Sequence, residues 1–90
     1  MKLWRINKDF VSRRYGELIL GYFNSDSQMR YYTIEGISLQ IIDALHVEKM
    51  EETLKGEFEE RGINARQLQF ELNKLLGLSI VEVVEYDEAK

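Results

Sequence analysis

The sequence predicts an α+β domain on two observations. Before about residue 35 the chain is rich in aromatic and β-branched side chains around turn-forming clusters, and after it the apolar side chains recur at helical spacing. A third observation, a β-rich run near the C-terminus, adds a closing strand.

Glu17-Leu18-Ile19-Leu20-Gly21-Tyr22-Phe23 and Met29-Arg30-Tyr31-Tyr32-Thr33-Ile34 read as the two arms of a β-hairpin, because Asn24-Ser25-Asp26-Ser27-Gln28 between them is turn chemistry. Leu3 to Ile6 and Phe10 to Arg14 are the candidates for a first strand pairing with that hairpin, which gives an N-terminal three-stranded antiparallel sheet over about residues 3–34. Ile37, Ile41 and Leu45, with Ile42 beside them, then define a short helix from about Gly36 to Leu45. Val47, Met50, Leu54 and Phe58 form the inward stripe of a second helix, whose outer face carries Glu48, Glu51, Glu52, Glu57, Glu59 and Glu60. Gly62 stands where a helix stops, and Asn64 is the N-cap expected for a third helix from Ala65 to Leu76, with Leu68, Leu72 and Leu75 inward and Gly77 as terminator. Ile80 to Tyr86 reads as a strand-like C-terminal extension, within about residues 78–90, ending in an acidic tail. Three helices with attached β-ribbons make a winged-helix-like arrangement. No proline, repeat or low-complexity tract interrupts the 90 residues, so one domain is expected over 1–90.

Composition narrows the function. The chain has no cysteine and a single histidine, His46, at the expected end of the first helix, where the negative end of the dipole favours a cation. Disulfides, thiolate metal sites and cysteine nucleophiles are thereby excluded, and no G-x-S-x-G element or Gly-rich phosphate loop is present. We therefore expect no catalytic site, no metal and no cofactor of the chain's own. The N-terminus lacks the apolar stretch of a signal peptide and no apolar run reaches bilayer length, so the expected location is the cytoplasm, without membrane contact. Residues 1–34 carry six basic against three acidic groups, whereas residues 35–90 carry six against thirteen. Such asymmetry steers docking onto charged partners. It disfavours nucleic acid, because the third helix offers only Arg66 and Lys74 and the helix before it is strongly acidic.

Two features point to a peptide partner. In the third helix, with Leu68 at the centre of the inward stripe, Phe70 falls about 160° away, flanked by Arg66, Gln69 and Asn73. In the second arm of the hairpin, Met29, Tyr31 and Thr33 alternate with Arg30, Tyr32 and Ile34, so both faces bear large side chains. An open edge of that composition invites coverage, and a peptide added as a strand supplies it through backbone hydrogen bonds and pockets for alternate side chains.

The order of elements and the run from Tyr32 to Leu45 resemble the PqqD-type recognition element of ribosomally made, post-translationally modified peptides. That family passes from its third strand into its first helix through a Leu-Asn dipeptide, a small residue three positions on and an Ile-Leu pair. Ile34, Ser38 and Ile41-Ile42 stand at the matching places. The helical leucines and Gly77-Leu78 are similar to the family's later helices, and the likeness spans about Trp4 to Val81. Glu35, where asparagine is usual, and Ser38, where glycine is common, depart from the pattern.

The resemblance implies a freestanding, cytoplasmic accessory protein without catalysis of its own. It would bind the leader of a precursor peptide by β-strand addition and deliver it to a separate modifying enzyme of the radical S-adenosylmethionine type, which would hold the iron–sulfur cluster. Carried onto this chain, the implied site is Met29, Arg30, Tyr31, Tyr32, Thr33 and Ile34 together with Arg66, Gln69, Phe70 and Asn73, and the basic N-terminal half favours an acidic leader with spaced apolar residues. Two alternatives stay open: a winged-helix DNA-binding regulator, and an oligomerisation or scaffold module, including a homodimer formed through the exposed strand.

Overall fold

A computed structural model describes residues 1–86; the acidic tail beyond them lies outside the described residues. The elements are β1 (Lys2–Ile6), β2 (Phe10–Tyr15), β3 (Leu18–Phe23), β4 (Tyr31–Ile34), α1 (Ile37–Ala44), β5 (Lys49–Met50), α2 (Glu51–Glu60), α3 (Ala65–Gly77) and β6 (Val81–Glu85). The α+β class, a three-stranded antiparallel sheet, three helices and a C-terminal strand are all present.

The strand pairing differs from the expectation of one N-terminal sheet. β2, β3 and β4 form one antiparallel sheet in that order, while β1 leaves it and lies between β5 and β6 in a second. The switch occurs at Asn7 to Asp9, where the Asn7 side chain accepts the Asp9 N–H and the Phe10 N–H donates to the Asn7 carbonyl, a tight turn that redirects the chain. Trp4, fully buried on β1, donates its indole N–H to Glu51 Oε1 at 3.1 Å and so ties the second sheet to the start of α2. A buried indole needs such a partner.

The second helix also starts later than its apolar spacing suggests. Val47 is exposed, and Lys49 and Met50 are extended residues that pair with Trp4 and Leu3. Only Leu54 and Phe58 of the expected stripe are buried on α2. Of its glutamates, Glu51 holds Trp4 and Glu57 accepts from Lys49 Nζ at 2.8 Å.

Both helix ends expected beyond Phe58 are present, with one change of residue. After α2, Gly62 at φ 81 closes the helix, its N–H bonding Glu59 O and that of Ile63 bonding Phe58 O. After α3 the same pair of bonds runs from Ser79 to Leu76 and from Ile80 to Leu75, so Ser79, at φ 63, takes the left-handed position and Gly77 is still helical. At its start α3 carries a reciprocal capping box between Asn64 and Gln67. His46 follows the first helix and its Nδ1 lies 2.9 Å from the Asp43 carbonyl.

One core joins both sheets and all three helices, with Phe10, Ile19 and Ile34 from one sheet, Trp4 and Val81 from the other, and Ile41, Leu54, Phe58, Leu68, Leu72 and Leu75 between. Alternation assigns the faces of the β2-β3-β4 sheet: Ile19, Gly21 and Phe23 point inward with Tyr32 and Ile34, and Leu20 and Tyr22 point outward with Tyr31 and Thr33. Gly21 is required by a close approach, since a Cβ there would meet Phe10 Cζ at 2.2 Å. The Phe10 ring lies across that space and meets Phe23 and Tyr32 at centroid distances of 5.1 and 6.4 Å. Gly21→Ala is therefore expected to destabilise the domain by about 1–3 kcal/mol. Urea unfolding followed by circular dichroism measures this, and an unchanged midpoint would show that the ring is free to move aside.

Candidate functional site

β4 pairs with β3 alone among the described residues, so one of its edges is open. Which backbone groups lie on that edge follows from the ladder. The Asn24 N–H donates to the Asp9 carbonyl, 2.8 Å, which makes Asp9 and Asn24 a hydrogen-bonded pair of the β2–β3 register. Hydrogen-bonded and non-bonded pairs alternate in an antiparallel ladder. Leu18, Leu20 and Tyr22 therefore bond toward β2, and Ile19 and Gly21 bond toward β4, where they face Ile34 and Tyr32. By the same alternation the N–H and C=O groups of Tyr31 and Thr33 point away from the sheet.

The chain enters and leaves this strand through two polar corners. Before it, the Asp26 carboxylate accepts the backbone N–H groups of Gln28 and Arg30 and the Arg30 Nε at 3.0 Å, and Met29 takes a left-handed φ of 52. The hydrogen bond from the Arg30 side chain, with that from the Gln28 amide, holds the Asp26 carboxyl below its ordinary pKa, and Asp26 raises that of Arg30 in turn. After the strand, Gly36 at φ 65 and ψ −137 turns the chain into α1, a conformation that a residue with a Cβ rarely takes.

α1 then fastens this corner to α3. Ser38, buried in the first turn of α1, donates its hydroxyl to Glu71 Oε2 at 2.5 Å, and Lys74 Nζ reaches the same oxygen at 2.8 Å. Burial pushes the Glu71 carboxyl up, but the bonds from Lys74 and Ser38 outweigh it, and the net shift is downward. A depression beside the start of β4 is lined by Phe23, Ser25, Asp26, Arg30 and Tyr32 on the sheet side, by Asn7 and Asp9 at the chain's switch between sheets, and by Leu78 and Ser79 just past α3.

The residues picked out from the sequence are only partly assembled here. Tyr31 to Ile34 form β4, with Tyr31 60% exposed, Thr33 exposed, Tyr32 half-buried over the depression and Ile34 in the core. The Ile34 side chain is thus unavailable to a ligand, and its backbone is used by β3. Met29 and Arg30 precede the strand rather than belonging to it. On α3, Phe70 stands on the outer crest at 68% exposure, with Arg66 exposed one turn before it. Gln69 and Asn73, bonded to each other at 2.9 Å, fall on the flank that carries Leu76, which lines a groove with Val81 and Val83 of β6. The flank turned toward α1 carries Glu71 and Lys74 instead, with Leu78 beyond it. These three were missed because a helical wheel separates core from surface and does not say which neighbour each flank meets. Around the outer face of the same sheet, Val11, Tyr15, Leu20, Tyr22 and Tyr31 line a shallow apolar hollow with Arg13, and Tyr22 and Tyr31 meet edge to face at 5.7 Å.

Chemically, the arrangement offers an open backbone row between an apolar hollow on the outer face and a mostly polar depression on the other. Among the described residues no group of three or more His, Cys, Asp or Glu side chains is placed to hold a metal ion, and no helix is long and apolar enough to cross a membrane. The tie between α1 and α3 has a pH signature. Because the folded pKa of Glu71 lies below its unfolded value, its contribution is complete above the usual carboxylate range and is lost as pH falls through the folded value. Glu71→Gln should remove about 1 kcal/mol at neutral pH and flatten the acid limb of stability against pH. Urea midpoints between pH 3 and pH 7 report both, and an acid limb as steep as that of the unsubstituted chain would refute the assignment. Compared with protein-family models, with curated proteins and with solved structures, the chain matches none.

Proposed function

We infer that this protein binds an extended peptide as an added strand on β4 and delivers it to a separate enzyme, without a catalytic site of its own. The observation that carries the reading is the open row at Tyr31 and Thr33, which no described residue pairs. Four backbone groups on that row accept a partner of any sequence, and selectivity comes from the side chains on either hand. Alternate residues of the guest would lie beside Tyr31 on the outer hollow and beside Tyr32 and Leu78 in the depression. The outer hollow favours apolar and aromatic guests at every second position, and the depression, walled by Asp9, Asp26 and Arg30 beside Tyr32 and Leu78, favours amphipathic ones between them. The resemblance to the PqqD-type recognition element, and with it a winged-helix-like reading of the helical layer, makes the leader of a ribosomally made precursor the guest we propose, and a radical S-adenosylmethionine enzyme the recipient.

The selection for an acidic guest is weaker than charge counting suggests, because Arg30 and Lys74 are each held by a carboxylate of the same chain. Their side chains remain 66% and 51% exposed, so they steer an anion without being dedicated to it.

The ladder parity makes a sharp test. Thr33→Pro removes an outward donor and leaves the β3–β4 bonds intact, whereas Thr33→Val keeps the donor and the strand. Titration with a synthetic peptide spanning the leader of a precursor encoded beside this chain is expected to show binding weakened about tenfold by Thr33→Pro and changed less than about twofold by Thr33→Val. Equal affinity for both variants would mean that the peptide sits elsewhere.

A further inference from the structure

The second sheet also has an open edge, and its pattern fits a copy of itself. In the β1–β6 register the Asn7 N–H bonds Ile80 O at 2.9 Å and the Tyr86 N–H bonds Met1 O at 2.8 Å. Alternation then directs the backbone groups of Glu82 and Val84 into β1 and leaves those of Val81, Val83 and Glu85 facing outward, with no strand beyond them among the described residues.

Proteins guard such edges with proline, lysine, a bulge or unpaired charge. β6 has no proline, lysine or bulge: its register with β1 runs unbroken, Glu82 is bonded by Arg5 Nε at 2.9 Å, and Glu85 lies across from Lys2 in the register. The hydrogen bond to Glu82 raises the Arg5 pKa further. β2, by contrast, carries Arg13 and Arg14 at its edge, and β4 has only two outward residues against three on β6.

We propose that two copies of the chain pair antiparallel through β6 about a two-fold axis at Val83. This is the one register in which all three outward residues meet an outward residue, Val81 opposite the partner's Glu85 and Val83 opposite the partner's Val83. It sets Glu82 against Val84 and no glutamate against another. The two three-stranded sheets become one of six strands, and Leu76 and Tyr86, 36% and 50% exposed beside the edge, gain cover. The interface does not use β4, so each copy keeps its proposed peptide edge, and failure of one idea leaves the other intact.

Because the chain has no cysteine, single substitutions report the interface directly. Residues in a hydrogen-bonded antiparallel pair have Cα atoms about 5.5 Å apart, within reach of a disulfide. Mild oxidation should link Val83→Cys into a covalent dimer and leave Thr33→Cys without a covalent link. Sedimentation across a concentration series should show a monomer–dimer equilibrium for the unsubstituted chain, and Glu85→Pro, which removes only an outward donor, should move its midpoint at least about tenfold upward. A chain that stays monomeric to about 1 mM, a midpoint untouched by Glu85→Pro, or linkage through position 33 instead of 83 would each overturn the proposal.

Discussion

The antiparallel ladder between β3 and β4 consumes the backbone groups of Tyr32 and Ile34 and leaves those of Tyr31 and Thr33 without a described partner. The open edge depends on that parity, and packing is what holds it. Ile34 and Ile19 face each other in the core, and Tyr32 pairs with Gly21, whose missing side chain makes room for Phe10. A slip of one residue would turn Ile34 to solvent and bury Thr33, a loss of roughly 2 kcal/mol or more of apolar burial at that position alone. Apolar packing thus decides which hydrogen-bonding groups the protein presents.

The helices frame this edge without covering it. Ser38 on α1 and Glu71 on α3 join the corner after β4 to the helical layer, and Leu78 and Ser79 wall the depression beside the strand. The acidic surface of α2 lies in the other sheet's half of the molecule, where Glu51 and Glu57 support Trp4 and Lys49. The two open edges therefore differ in character. β4 is bordered by aromatic side chains on its outer face and by a partly neutralised cation and polar groups on the other, which suits an extended amphipathic guest, whereas β6 is acidic and self-complementary in register.

Much of this was legible in the sequence where the cause is local. The hairpin follows from turn residues between two β-rich runs, the start of α3 from Asn64 with Gln67 three positions on, and the exposure of Phe70 from its angle to the leucine stripe. What was not legible depends on distant partners. Local composition makes Leu3 to Ile6 a strand candidate but cannot tell that the strand pairs with Val81–Glu85 at the other end of the chain. Val47 and Met50 share the spacing of Leu54 and Phe58, yet pairing with β1 holds Met50 extended. Gln69 and Asn73 were grouped with Phe70 because all three avoid the core face, and only tertiary packing separates the flank beside β6 from the flank that Glu71 and Lys74 turn toward α1.

Amide hydrogen exchange of β4, read residue by residue by NMR in dilute monomer and again with the leader peptide, shows whether the outward row is free and whether peptide fills it. Slow exchange is expected at Tyr32 and Ile34 in both states, and fast exchange at Tyr31 and Thr33 that slows only when peptide is present. Protection of Tyr31 and Thr33 in the free monomer, or exchange there that stays fast with peptide bound, would contradict strand addition on β4.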